Sequence, residues 1–81
     1  MPSAGSTFRN PENAFAGALI EGANLKGFSV NDAKVSEKHA NFIVNSGNAT
    51  GEDIVLLIEK VKKEVEKRYN INLKLEQIII K

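Results

Sequence analysis

The chain has 81 residues, of which 42% are hydrophobic and 26% charged, and its formal net charge is +1. This length supports one small folded domain, and the balanced charge argues against nucleic acid as a partner. The lack of cysteine and the single histidine argue against disulfides and a zinc site. No apolar run reaches the roughly 20 residues of a membrane span, and no signal peptide opens the chain, so we expect a cytoplasmic protein without membrane partners.

The first predicted element is a helix over about residues 14–24. A loop precedes it, with the turn Gly5-Ser6-Thr7 placed close to the first residue. Asn13 is predicted to cap the helix, and Asn24 is a stop signal. The helical spacing predicts one apolar face, formed by Phe15, Leu19 and Ala23 with Ala16 and Ile20 beside them.

Three short strands are predicted next. The segments GFSV (27–30) and AKVS (33–36) read as a hairpin that turns at Asn31-Asp32, residue types that accept turn conformations. The segment NFIVN (41–45) is a compact apolar run between polar residues and reads as a buried strand.

The second helix has the strongest local signals. Thr50 and Asp53 have the spacing of a capping box, and the helical pattern continues to about Tyr69. Its apolar face is predicted to consist of Ile54, Leu57, Ile58, Val61 and Val65. INLKLEQIII (71–80) follows as the longest strand. This order predicts a single α+β domain over 1–81, with a small, mainly antiparallel sheet and two principal helices packed on one face.

The residues alone give only weak candidates for chemistry. Ser6 suits a turn, and His39 suits a hydrogen-bonded strand or turn position. Glu76 leaves two interpretations open, because strand alternation could place it toward solvent, or it could face a cleft and take part in proton transfer. The sequence contains no phosphate-binding Gly-rich loop, dinucleotide fingerprint or HExxH motif.

Several segments together resemble one known family. They are AGSTFRNP at 4–11, GALIEGANLKG at 17–27, VSEKHANFIVNSGNAT at 35–50, and LKLE ahead of III near the end. In this order and spacing they resemble the C-terminal, substrate-binding domain of UDP-N-acetylmuramate dehydrogenase, also called UDP-N-acetylenolpyruvoylglucosamine reductase. The resemblance covers nearly the whole chain, from about Pro2 to Ile80, and the most specific parts are GSTFRNP and SEKHANFIVN.

The resemblance implies a role in reducing UDP-N-acetylenolpyruvoylglucosamine during peptidoglycan precursor synthesis. In the family, FAD is bound by two preceding domains and is reduced by NADPH, so we expect this chain alone to bind neither cofactor and to show no turnover. The matching motifs imply that Ser6 protonates the substrate and that Glu76 assists. A polar acid at such a position stabilises and then quenches the negative charge that builds up on an enol ether.

The resemblance also implies substrate contacts for Asn10, Lys26 and His39. This sequence departs from the family at two places: Asn31-Asp32 replaces the usual Gly-Gly, and the arginine that usually follows the glutamate is missing after Glu76. The alternative hypothesis is a free-standing binding or interaction module that has the fold without the chemistry. An upstream flavin-binding region in the same reading frame would favour the enzyme.

Overall fold

The computed structural model describes residues 7–76 and shows a three-stranded antiparallel sheet with two helices. In chain order the elements are α1 (Ala16–Gly22), β1 (Ser29–Val30), β2 (Ala33–Val35), β3 (Ile43–Asn45) and α2 (Gly51–Tyr69). The strands lie in the order β1-β2-β3, and each pairs antiparallel with the next. The predicted α+β class is confirmed. None of the helices in the described part of the chain is long and apolar enough to cross a membrane.

Helix α2 begins and ends as its sequence predicts. The N–H of Asp53 donates to Thr50 Oγ1 over 3.1 Å, and the N–H of Thr50 donates to Asp53 Oδ2 over 3.0 Å, which completes the capping box. At the other end, Asn70 takes the left-handed conformation (φ 57°), and its N–H donates to the carbonyl of Glu66. Both termini therefore satisfy backbone groups that a helix end would leave unpaired.

The hydrophobic core lies between α2 and the sheet. The five apolar residues predicted for the buried face of α2 are all buried, and α2 packs against β1 and β2. The same cluster includes Val35 from the sheet, Ile20 from α1 and Phe8 from the N-terminal segment. Helix α1 packs against α2. The core consequently ties the N-terminal segment, both helices and the sheet into one unit.

Helix α1 is shorter than predicted, and its predicted cap is wrong. The helix begins at Ala16, and Asn13 instead lies in the preceding turn with a φ of 65°. The N–H of Ala16 donates to the side-chain Oδ1 of Asn10 over 2.9 Å, so the acceptor comes from six residues upstream. The buried face is also shifted, because Ala16 and Ile20 are buried whereas Phe15 is 70% exposed.

The turn between β1 and β2 is tied to both of its neighbours. Asn31 Nδ2 donates to Asp53 Oδ1 over 2.8 Å, which joins the turn to the start of α2. Asp32 Oδ2 accepts the N–H of Asn48, and its carbonyl accepts the N–H of Ser46. The contacts of Asn31 Nδ2 and Asp32 Oδ2 use side chains that a Gly-Gly turn lacks. The hydrogen bond from Asn31, followed by those from Thr50, lowers the pKa of Asp53 below its ordinary value of 3.8.

The predicted long strand over 71–80 is wrong for its described part. Between Ile71 and Glu76 the structure has one isolated antiparallel bridge, which pairs Leu75 with Phe8. The N-terminal partner segment is short, because the chain enters a turn after Asn10 in which the N–H of Ala14 donates to the carbonyl of Pro11. Leu73 is nevertheless buried in the core. Residues 77–80 lie outside the described residues.

Candidate substrate-binding site

Three residues predicted to bind substrate line one open hollow, with a volume of about 350 Å³, that we call the main hollow. Asn10 comes from the N-terminal segment, Lys26 from the loop after α1, and His39 from the loop between β2 and β3. The complete lining is Asn10, Phe15, Gly17, Glu21, Lys26, Lys38, His39, Ala40, Asn41 and Phe42. Folding thus brings together three separate segments that the sequence places up to 29 positions apart.

Asn10 is held by the start of α1. Its Oδ1 accepts the N–H of Ala16, which leaves the amide NH₂ group as the end that can donate to a ligand. Asn10 also lines a second hollow of about 340 Å³, which we call the terminal hollow. The terminal hollow is lined by Arg9, Asn10, Pro11, Glu12, Asn72 and Lys74. Asn10 is therefore the residue shared by the two hollows.

Lys26 is positioned by a tight loop between α1 and β1. Asn24 and Gly27 both have positive φ, at 63° and 81°, and reverse the chain on either side of it. The N–H of Gly27 donates to the carbonyl of Val35, which anchors the loop to β2. The Lys26 ammonium lies 3.8 Å from Glu21 Oε1. The main hollow therefore contains a cation that is only loosely paired and can turn toward an anionic ligand.

His39 and Lys38 are presented by a turn built on Ser36. The buried Ser36 Oγ accepts the N–H groups of both Lys38 and His39, each over 3.1 Å. The His39 ring lies 5.2 Å from the ring of Phe42 at an angle of 47°, and the N–H of Phe42 donates to the carbonyl of His39. One hydroxyl thus orients two adjacent side chains toward the main hollow, and both can donate to an anion.

Asn41 fixes the N-terminal segment beside the main hollow. Its Oδ1 accepts the N–H of Phe8, its Nδ2 donates to the Phe8 carbonyl, both over 2.9 Å, and its own carbonyl accepts the N–H of Thr7. Both ends of the Asn41 amide are consequently used for structure. Ser6, the predicted proton donor, lies outside the described residues, and Thr7 is its first described neighbour.

Glu76 pairs with a cation from the N-terminal segment. Arg9 Nε lies 3.3 Å from Glu76 Oε1, and the two side chains remain 67% and 54% exposed. The N–H of Glu76 donates to the carbonyl of Thr7, and the N–H of Arg9 donates to the carbonyl of Lys74. Arg9 is therefore a charge partner for Glu76. In the family pattern an arginine follows the glutamate by two positions, and this chain has no arginine there.

Several residues at these hollows were missed by the sequence analysis. Glu21 is a charged residue on a predicted helix face, and nothing local distinguishes it from solvated surface. Phe15 was assigned to the buried face of α1. The signal that could have found Arg9, Lys38 and Asn41 is their position inside the two most specific segments, GSTFRNP and SEKHANFIVN. Within residues 7–76, no group of three or more His, Cys, Asp or Glu residues is arranged to hold a metal ion.

Comparisons with known proteins agree with this architecture. Residues 1–80 match the family model of the UDP-N-acetylenolpyruvoylglucosamine reductase C-terminal domain. A UDP-N-acetylenolpyruvoylglucosamine reductase of Campylobacter jejuni is 55% identical over 78 residues, which cover 96% of this chain and 30% of that protein. UDP-N-acetylenolpyruvoylglucosamine reductase 2 of Symbiobacterium thermophilum is 55% identical over 75 residues, which cover 93% of this chain and 24% of that protein.

A solved structure shows the same fold. The crystal structure of the reductase from Thermus caldophilus superposes with a TM-score of 0.81 at 42% identity, over 94% of this chain and 26% of that protein. The chain thus spans between about a quarter and a third of the length of these relatives. With the family model matched over almost all of its residues, the chain belongs to the UDP-N-acetylenolpyruvoylglucosamine reductase C-terminal domain family.

Proposed function

We propose that this chain is the substrate-binding domain of a flavin- and NADPH-dependent reductase that converts UDP-N-acetylenolpyruvoylglucosamine to UDP-N-acetylmuramate for peptidoglycan synthesis. The observation that carries the proposal is the convergence of Asn10, Lys26 and His39 on the main hollow. The names of the relatives supply the substrate. We place FAD and NADPH on the remaining domains of such an enzyme, because the relatives are about three to four times longer than the segment they share with this chain.

The main hollow has the chemistry to hold a nucleotide diphosphate. Lys26, Lys38 and His39 offer donors from two loops, and charge-assisted hydrogen bonds to phosphate oxygens are among the stronger polar contacts. The amide of Asn10 adds a neutral donor at the side where the main and terminal hollows adjoin. We assign the diphosphate to the lysines and the part of the substrate nearer the reacting double bond to the Asn10 side.

The enolpyruvyl group would then lie toward Glu76 and Thr7, the residue that follows Ser6. When bound by its own domains, reduced FAD supplies the hydride for this double bond. In this proposal Ser6 donates the proton to the adjacent carbon, and Glu76 assists from the other chain end. Two features support this assignment: the N–H of Glu76 donates to Thr7, the residue next to Ser6, and Arg9 holds a positive charge beside the Glu76 carboxylate.

The proposal is tested by titrating the chain with UDP-N-acetylglucosamine, a stable relative of the substrate, and following backbone amide signals by NMR. We expect shifts concentrated at Asn10, Lys26, Lys38 and His39, and at least a tenfold weaker affinity in Lys26→Gln, the scale of a lost charge-assisted bond. Lys60→Gln is the matched control, since Lys60 is an exposed lysine beside a different hollow. Shifts confined to other surfaces would contradict the proposal.

A further inference from the structure

An aromatic ring stands exposed in the main hollow. Phe15 is 70% exposed, the largest exposed fraction among the large hydrophobic residues of the described chain, although its neighbours Ala16 and Ile20 are buried. Leaving a phenylalanine in water forgoes stabilisation that burial would give. The ring shares the main hollow with Lys26, Lys38 and His39, so it lies beside polar groups rather than in an apolar patch.

The side chain of Phe15 has no structural task in starting α1. Phe15 occupies the N-cap position, but its side chain makes no capping hydrogen bond, and the N–H of Ala16 is satisfied by Asn10. The Phe15 carbonyl accepts the N–H of Leu19, a contact that any residue would make. The ring is therefore available for a ligand without a change in the helix.

The Phe15 ring, with lysines beside it, is suited to bind one part of a nucleotide sugar. The phosphates are anionic and avoid the negative face of an aromatic ring, and a sugar ring can offer its C–H face but no π system for stacking. A nucleobase has a flat π face that stacks on aromatic side chains, while its phosphates are held by nearby Lys or Arg. We propose that Phe15 is the stacking platform for the uracil base, with Lys26 and Lys38 holding the phosphates that follow it.

This inference rests on the proposed function and is tested with two ligands that separate the base from the rest. UMP carries uracil, ribose and phosphate, whereas ribose 5-phosphate lacks the base. We expect Phe15→Ala to weaken UMP binding about tenfold, within the range seen when a stacking residue is removed. Binding of ribose 5-phosphate should change by less than about twofold, because no stacked base is lost. Both affinities are measured by NMR titration of the 81-residue chain.

Two further variants complete the experiment. Phe15→Tyr keeps the ring and should restore UMP affinity. Phe28→Ala removes another exposed phenylalanine, which lies beside Lys60 and Lys63 in a different hollow, and should change neither affinity. A Phe15→Ala variant that weakens both ligands equally, or neither, overturns the stacking role. A wild-type chain on which UMP shifts no signal at the main hollow overturns the proposed nucleotide site itself.

Discussion

Ser6 and Glu76 come from opposite ends of the sequence, and the residue next to Ser6 is hydrogen-bonded to Glu76. The Thr7 carbonyl accepts the N–H of Glu76 over 2.8 Å, and the backbone N–H of Thr7, a buried residue, donates to the carbonyl of Asn41 over 2.8 Å. A backbone contact of this kind is insensitive to side-chain rotation. This contact joins the segments that carry the two proposed catalytic residues, so their roles can be tested together. Ser6 itself lies outside the described residues.

The first prediction concerns Ser6. In the proposed full-length reductase, Ser6→Ala should slow substrate reduction by roughly 10²- to 10⁴-fold, the scale of losing a positioned proton donor. Flavin reduction by NADPH should stay nearly unchanged, because that step does not use this proton. Stopped-flow measurement of the two half-reactions separates them. An equal slowing of both half-reactions would contradict the assigned role.

The second prediction concerns the ion pair of Arg9 with Glu76. A half-exposed glutamate rotates freely unless a partner restrains it, and a small misplacement of a catalytic group can cost up to about 100-fold in rate. We therefore expect Arg9→Gln to slow substrate reduction by about 10- to 100-fold, with partial recovery in Arg9→Lys. Arg68→Gln, at an exposed arginine in the last turn of α2, is the control. A rate equal to wild type in Arg9→Gln would show that Glu76 needs no partner.

Among the elements, α2 contributes more buried residues to the core than any other, and two adjacent leucines on it test its packing directly. Leu57 has no exposed surface, whereas the adjacent Leu56 is 41% exposed. Leu57→Ala should lower the free energy of unfolding by about 2–5 kcal/mol, because it leaves a cavity. Leu56→Ala should cost less than about 1 kcal/mol. Urea unfolding measures both, and similar losses would mean that the helix face is wrongly assigned.

The β1–β2 turn gives a prediction about pH. Asn31 and Thr50 lower the pKa of Asp53 in the folded chain, so their stabilisation is present above pH 3.8 and is lost as the pH falls through the lower folded value. Asn31→Gly suits the positive φ of this position (53°) and removes the first of these hydrogen bonds.

In Asn31→Gly we expect the pKa of Asp53, followed by NMR, to rise toward 3.8. The difference in stability between pH 7 and pH 2 should shrink accordingly. Asn24→Gly is the matched control, since Asn24 also has a positive φ and forms no hydrogen bond with Asp53. An unchanged pKa of Asp53 in Asn31→Gly would contradict this account of the turn.

For the molecule as a whole, we predict that the purified 81-residue chain carries no flavin absorbance and does not oxidise NADPH. The proposed function assigns both cofactors to other domains, and the chain spans between about a quarter and a third of its relatives. Absorbance spectra and an NADPH oxidation assay with the substrate test this. A yellow cofactor that copurifies with the chain would contradict it.

What the sequence predicts well is local. The capping box of α2 needs only Thr50 and Asp53, three positions apart, and its buried face follows from helical spacing. For α1 the sequence predicts a cap at Asn13 instead, because no local signal shows that Asn10 reaches Ala16 across a turn. The last strand was predicted from its own apolar pattern, whereas pairing depends on the length of the partner segment around Phe8.

The candidate site is predictable only in part, because it too depends on contacts between residues far apart in the sequence. Asn10, Lys26 and His39 were found through a family resemblance, and their meeting in one hollow depends on how three loops pack. Phe15 was assigned to the core because helical periodicity does not show which side of a short helix faces α2. Arg9 was missed because its contact with Glu76 joins residues 67 positions apart.

The antiparallel bridge between Phe8 and Leu75 determines how the domain responds to mechanical load. In an antiparallel pair, the chain enters before Thr7 and leaves after Glu76 at the same end of the bridge. A pulling force on these two points breaks the hydrogen bonds of the bridge one after another, rather than loading all of them at the same time. The bond from Glu76 to Thr7 breaks before the bond from Arg9 to Lys74. Tension applied at these two points would thus first separate Glu76 from Thr7, the residue next to the proposed proton donor Ser6.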